Sequence, residues 1–112
     1  AWERGRLLWA PDYYCTLDSL AVDSAGNVCV GDIPHGGITV ISPEGRRIAQ
    51  YPMPDIITTN ICFGGAGLGT AYITLSSTGR LVAMQWPRPG LGLHWQHRCR
   101  IEPGQAARQE GL

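Results

Sequence analysis

Ser19-Leu-Ala-Val-Asp-Ser-Ala-Gly-Asn-Val-Cys-Val30 leads into Gly36-Gly-Ile-Thr-Val-Ile-Ser42. The same order of features returns as Asn60-Ile-Cys-Phe-Gly-Gly65, Thr70-Ala-Tyr-Ile-Thr-Leu75 and Gly79-Arg-Leu-Val-Ala-Met-Gln-Trp86. Setting Leu20 on Ile61, Val28 on Ala71 and Ile38 on Leu81 gives offsets of 41, 43 and 43 positions. A repeat of that length, built of short β-rich runs and glycine-rich turns, is the mark of a propeller blade. One blade cannot bury both of its faces, so each unit needs a neighbour stacked on it.

Outward from this repeat, the first unit divides into four strands, near 19–23, 28–30, 38–41 and 46–51, joined as hairpins. Asp23-Ser-Ala-Gly-Asn27 reads as a tight turn, with Gly26 and Asn27 expected to supply positive φ and Asp23 assigned to the turn. Pro52-Met-Pro-Asp55 reads as an extended crossing, since alternating prolines favour polyproline or turn geometry. The second unit supplies strands near 60–63, 70–75 and 80–86, with 91–95 as the candidate fourth strand beyond Pro87-Arg-Pro-Gly90. Residues 5–10 read as a leading strand. The expected fold is all-β, with about two to two-and-a-half antiparallel four-stranded blades. These lie near 18–52 and 58–95 of a domain spanning 1–95, and 96–112 form a frayed tail or short helix. A closed propeller needs at least about four blades, so this is a partial one.

Composition agrees and narrows the function. The 112 residues are 44% hydrophobic, and 15 Gly with 8 Pro favour turns over long helices. Nine basic residues balance nine acidic ones, which directs the chain neither to nucleic acid nor to an anionic membrane. The apolar runs are far shorter than the roughly 20 residues of a membrane-spanning helix. Ala1-Trp-Glu-Arg-Gly-Arg6 lacks the apolar stretch of a secretion signal, and the missing initiator Met fits a cut or processed chain. Cys15, Cys29, Cys62 and Cys99 are spaced by 14, 33 and 37 with no Cys-x-x-Cys pair, which argues against a zinc cluster or redox dithiol. They are expected to pack as buried, reduced thiols, which points to a cytoplasmic setting.

Between 18 and 86 the residues resemble a known family. Asp18-Ser-Leu-Ala-Val-Asp-Ser-Ala-Gly-Asn-Val-Cys-Val30, with Gly36-Gly-Ile-Thr-Val40, is similar to the late blades of the SMP-30/gluconolactonase/LRE family. Thr58-Thr-Asn-Ile-Cys-Phe-Gly-Gly65, with Thr70-Ala-Tyr-Ile-Thr-Leu75, resembles the next family signature. Trp86-Pro-Arg-Pro-Gly-Leu91 resembles the ending of bacterial members, and the likeness spans residues 5 to 95. It implies a six-bladed β-propeller that holds one divalent cation in its central channel and hydrolyses lactones of sugar acids. In the family the cation is held by a Glu, by an Asn of an Asn-Gly motif, and by an Asp of a Pro-Asp-Gly-like motif. Leu17-Asp18-Ser19 stands at the last of these, so the resemblance implies Asp18 as metal ligand and general base. The Glu and the Asn have no counterpart in these residues. The oxygen-only ligand set implies calcium, with zinc as the alternative.

Taken alone, Asp18 reads as a turn-former bonding nearby backbone N–H groups. His35, in Pro34-His-Gly-Gly37, stands where the family has a polar residue near the channel mouth, as a substrate contact or an exposed loop histidine. Thr59 and Asn60 take the places in the second unit that Asp18 and Ser19 take in the first, and are expected to approach substrate. His94 and His97, near Cys99, show no helical period and read as coincidence. Trp86 and Trp95 either stack on sugar faces or fill the packing between blades. Gly64-Gly-Ala-Gly-Leu-Gly69 lacks the Lys of a phosphate loop and joins two strands, and no Gly-x-Ser-x-Gly elbow occurs. The expected function is a segment of a metal-dependent lactonase with a small-molecule lactone as ligand, inactive in isolation. The alternative is a non-catalytic fragment that self-associates, or binds another protein, through open strand edges.

Overall fold

Along Thr70–Leu75, Ala71, Ile73 and Leu75 are buried and the residues between them half-buried, the period-two pattern of a strand with one face on a core. The structure is a computed structural model that describes residues 2–94 and 96. It contains seven strands: β1 (Thr16–Val22), β2 (Val28–Ile33), β3 (Gly37–Ile41), β4 (Arg47–Pro52), β5 (Thr58–Gly64), β6 (Thr70–Leu75) and β7 (Arg80–Gln85). β1-β2-β3-β4 form one antiparallel meander and β5-β6-β7 a second. Single 3-10 turns lie at Trp2–Arg4 and Ala66–Leu68.

The two sheets stack face to face. Cys29, Ile38 and Val40 of the first meet Ile61, Ala71, Ile73 and Leu75 of the second, with Trp86 closing the cluster. Each fully buried side chain of this kind contributes about 1.5–3 kcal/mol by leaving water. Trp86 serves this packing, with its ring 4.6 Å from Tyr51 and 6.3 Å from Phe63. The repeat partners differ in burial in a consistent sense. Ile61 is buried where Leu20 is exposed, and Ile38 is buried where Leu81 is exposed. The sheets therefore pack head to tail, the forward face of the first on the rear face of the second.

Three carboxylates hold the turns. Asp23 accepts hydrogen bonds from the N–H groups of Ala25 (2.9 Å) and Asn27 (3.0 Å) and from Asn27 Nδ2 (2.9 Å), as expected of a turn residue. Gly26 alone in that turn takes positive φ; Asn27 does not. Asp55, at the crossing between sheets, accepts from Ile57 N–H (2.7 Å), Thr78 N–H (2.9 Å) and Thr78 Oγ1 (2.7 Å). Burial pushes its carboxyl up, but those bonds outweigh it and hold the group below the ordinary carboxylate range. Asp32, the third, organises the site described below.

Two strand expectations change. Residues 5–10 carry strand composition but run as irregular chain that forms no ladder, with the Leu8 carbonyl lying against Gly45 of the β3–β4 turn. Residues 91–94 do not extend the second sheet beyond β7; Trp95 lies outside the described residues. The chain crosses back instead: Trp86 N–H bonds Gly69 C=O (2.9 Å), Gly90 N–H bonds Leu68 C=O (2.8 Å), and Leu91 N–H bonds Val22 C=O (3.0 Å) on β1. The outer edge of β7 thus has no strand partner among the described residues. Residues 96–112, apart from Gln96, also lie outside them.

A Cβ at Gly31, on β2, would stand 2.5 Å from the Thr58 carbonyl oxygen and 3.0 Å from Thr59 backbone atoms. Gly31→Ala is expected to lower the unfolding free energy by about 1–3 kcal/mol by forcing the sheets apart. Gly69→Ala, whose Cβ meets nothing closer than 3.6 Å, is expected to stay within about 0.5 kcal/mol. Parallel denaturation curves of the two variants check this.

Candidate functional site

β1 begins at Thr16, paired with Ile33, and its register slips between Leu17 and Leu20. Asp18 sits in that slip. It therefore lies inside the strand, at a bulge, and not on the loop ahead of it. Bulges re-aim side chains at sheet rims and next to active sites. β5 slips at the equivalent place, between Thr58 and Asn60, so the repeat extends to this irregularity. Asp18 is exposed, and its carboxylate takes no hydrogen bond or ion pair among the described residues. The turn-forming account of Asp18 therefore has no support in the geometry.

One cross-strand step away lies Asp32, paired with Leu17 and fully buried. Its Oδ2 accepts hydrogen bonds from Thr39 Oγ1 (3.0 Å), Tyr13 OH (3.3 Å) and Gln50 Nε2 (3.4 Å), and its Oδ1 from Cys15 Sγ (2.8 Å). His35 Nδ1 stands 3.6 Å from the same Oδ1, and the imidazole packs on the Tyr13 ring at 4.4 Å. One buried carboxylate thus ties residues 13–15, β2, β3, β4 and the β2–β3 loop together. A charge can be buried only with this much pairing. Burial and the Asp32 charge raise the Tyr13 hydroxyl, with Arg47 opposing. Burial first, then the bond to Asp32, pushes the Cys15 thiol up to about 11. Burial beside Asp23 pushes Cys29 up to about 12.

Sequence reasoning missed Asp32. Its one signal was an acidic residue at the end of the apolar run Val28-Cys-Val-Gly-Asp32, where only a partnered carboxylate is tolerated. The structure brings His35 to the same sheet end as Asp18 and leaves it 45% exposed. Thr59 and Asn60 separate. Thr59 Oγ1 bonds Thr74 Oγ1 (2.8 Å) and Ser76 Oγ (2.7 Å), while Asn60 Oδ1 accepts from Ile61 N–H (2.8 Å). Asn60 lines an apolar cavity of about 440 Å³ between β1 and β5, with Leu20, Cys62, Phe63, Leu91 and Leu93. Cys62, expected to be buried, is exposed there. His97, Cys99 and Trp95 lie outside the described residues.

For a divalent cation the donor set falls short. Among the described residues no group of three or more His, Cys, Asp or Glu side chains could hold a metal ion. Calcium takes about six to eight oxygens, and Asp18 offers one carboxylate. These residues alone do not fit a complete metal site.

The model of the SMP-30/Gluconolactonase/LRE-like region matches residues 3–77, a span that contains Asp18, Asp32, His35 and Thr59. This chain belongs to that family. It is similar to 6-deoxy-6-sulfogluconolactonase of Pseudomonas putida, 33% identical over 75 residues that cover 65% of this chain and 26% of that protein. It is also similar to pentonolactonase XacC of Haloferax volcanii, 27% identical over 71 residues, 63% of this chain and 24% of that one. A crystal structure of a candidate gluconolactonase superposes with TM-score 0.65 at 25% identity, over 78% of this chain and 28% of that one. The chain thus spans about a quarter of the length of the curated relatives. Two head-to-tail antiparallel sheets are what a partial propeller of this family contains.

Thiol reactivity tests the site's electrostatics. With a pKa of about 11, Cys15 is thiolate to only about one part in a thousand at pH ~8. Alkylation followed by peptide mapping is expected to label exposed Cys62 well before Cys15 or Cys29. Asp32→Asn, which removes the neighbouring charge, is expected to speed labelling of Cys15.

Proposed function

We propose that these residues form part of the active site of a hydrolase acting on lactones of sugar acids, with Asp18 at its centre. The observation that carries this is Asp18 itself: an exposed, unpartnered carboxylate at a strand bulge, inside the span matched to a family whose relatives named above are lactonases. Structural carboxylates in this fold, Asp23, Asp32 and Asp55, are all buried and saturated with donors. Asp18 differs from them in both respects.

Lactone hydrolysis adds water to the ring carbonyl, breaks the carbonyl carbon–ring oxygen bond and yields a hydroxy acid. Asp18 would take the proton of the attacking water and return it to the departing ring oxygen. The family's divalent cation, calcium from its oxygen ligands, would need its remaining ligands from residues outside this set. His35, Thr59 and Asn60 are proposed as the substrate contacts that the chain contributes. The free thiols of Cys15, Cys29 and Cys62 are consistent with a cytoplasmic setting for this enzyme.

A chimera in which residues 3–77 replace the matched span of the Pseudomonas putida relative tests this. The chimera is expected to hydrolyse lactone, and Asp18→Asn within it to lose about 10²- to 10⁴-fold in rate with unchanged thermal stability. Calorimetry is expected to show calcium binding in the chimera and none in its Asp18→Asn form. Undiminished hydrolysis in the variant would sink the reading.

A second reading rests on the open faces of the stack. Leu20 on the rear face and Leu81 on the forward face are 55% and 67% exposed, and the β7 edge has no strand partner among the described residues. Head-to-tail contact between copies would cover both leucines, while the β7 edge offers its ladder to a strand of another copy. The 112-residue chain is then expected to sediment as a dimer or larger species, and Leu81→Asp to shift it towards monomer. A stable wild-type monomer at low salt counts against self-association.

A further inference from the structure

We propose that His35 reads the hydroxyl groups of the sugar acid at this rim, with Asp32 holding its imidazole in the tautomer that leaves Nε2 as a hydrogen-bond acceptor. The identity of the ligand rests on the lactonase reading; the tautomer does not.

Three observations carry the inference. First, every side-chain partner of Asp32 within hydrogen-bond distance is able to donate, and the ring nitrogen nearest the carboxylate is His35 Nδ1, 3.6 Å from Oδ1, a separation that places it in the field of the carboxylate and favours a hydrogen on Nδ1 over a lone pair. In a neutral imidazole the other nitrogen is then an acceptor, and the partner of the first decides which form exists. Second, the ring has a packing partner on one side: it lies against Tyr13 at 4.4 Å, and Tyr13 is itself bonded to Asp32. One fully buried carboxylate thus bears on both the orientation and the tautomer of His35. Third, the side chain is 45% exposed in the β2–β3 loop, beyond the pair Thr16–Ile33 and at the same sheet end as the Asp18 bulge.

An acceptor fixed at that rim suits a ligand that brings hydroxyl donors, as polyhydroxylated sugar acids do. It gains nothing from a ligand that brings only a carboxylate. His35 is thus a specificity-determining contact, and Asp32 a positioning residue acting through it. The position of Asp32 also explains why a buried charge is retained at the blade's rim, where Thr39, Tyr13 and Gln50 could otherwise have been replaced by an apolar cluster.

The test uses the ¹⁵N-histidine-labelled 112-residue chain at pH ~8, above the ordinary imidazole range near 6.5. Long-range ¹H–¹⁵N correlation reads the tautomer directly, with His35→Gln assigning the signal. The expected result is Nδ1–H in the wild type and Nε2–H in Asp32→Asn. Gluconate is expected to shift the His35 Nε2 resonance, while hexanoate, with the same charge and no hydroxyls, leaves it in place. An Nε2–H tautomer in the wild type overturns the proposal without recourse to a variant that may unfold. So does an equal response to both acids, or none to gluconate. If His35 is silent while the chimera's hydrolysis depends on Asp18, this inference alone falls. If His35 responds to gluconate while hydrolysis ignores Asp18, the lactonase reading falls and the hydroxyl site stands.

Discussion

Head-to-tail stacking of two sheets is the constraint on which the rest of the structure depends. The forward face of the first sheet, with Cys29, Ile38 and Val40, meets the rear face of the second, with Ile61, Ala71 and Ile73. Gly31 permits this contact to be close, because any side chain there would strike the backbone at Thr58. A face-to-face pairing of identical surfaces would have closed the structure on itself. Head-to-tail contact instead leaves a rear face at one end and a forward face at the other, and repetition of the same rotation closes a ring. Leu20 and Leu81 are exposed for that reason alone, since their repeat partners are buried.

The same stacking decides which polar groups are free. Asp23 and Asp55 serve turns on which the sheets bear, and Asp32 serves the face of the first sheet that the second does not cover. There the segment around Tyr13 and Cys15 supplies the cover, held by one carboxylate where a core would use methyl groups. Each of these carboxylates is needed where it stands, because leaving any of their donors without an acceptor in a buried turn costs more than the bond itself contributes. Asp18 carries no such duty. Its carboxylate takes no hydrogen bond among the described residues, and the chemistry proposed for it rests on that contrast with the three buried carboxylates.

Much of this was legible in the residues. The repeat fixed both the strand order and the equivalence of Asp18-Ser19 with Thr59-Asn60, which reappears as matching register slips in β1 and β5. The role of Asp23 could be read because Asp-Ser-Ala-Gly-Asn is a local device, complete within five residues. Asp32 could not, because its partners come from residues 13, 15, 35, 39 and 50, and no local pattern announces a convergence of that range. Residues 5–10 misled for the opposite reason. Their strand propensity is real, but a strand is defined by its partner, and propensity says nothing of whether the partner is present. The exposure of Cys62 follows the same logic, since its strand was read correctly but the face it occupies opens on the cavity beside β1.

A site distributed over a ring is bound to look incomplete in any of its sectors. Propeller ligands come from successive inner strands, each contributing one side chain near the axis, so a pair of sheets can bring only its own share. In the lactonase reading proposed above, Asp18 and the rim around His35 would be that share, and the described residues hold no cluster of three or more metal-ligating side chains. What a sector can fix by itself is the orientation of its own groups. The Asp32 network does this with residues 13–50 alone, with no contribution from the second sheet. Preorganisation at the level of the single blade lets a ring of repeats vary its specificity one blade at a time, while the stacking faces that close the ring stay unchanged.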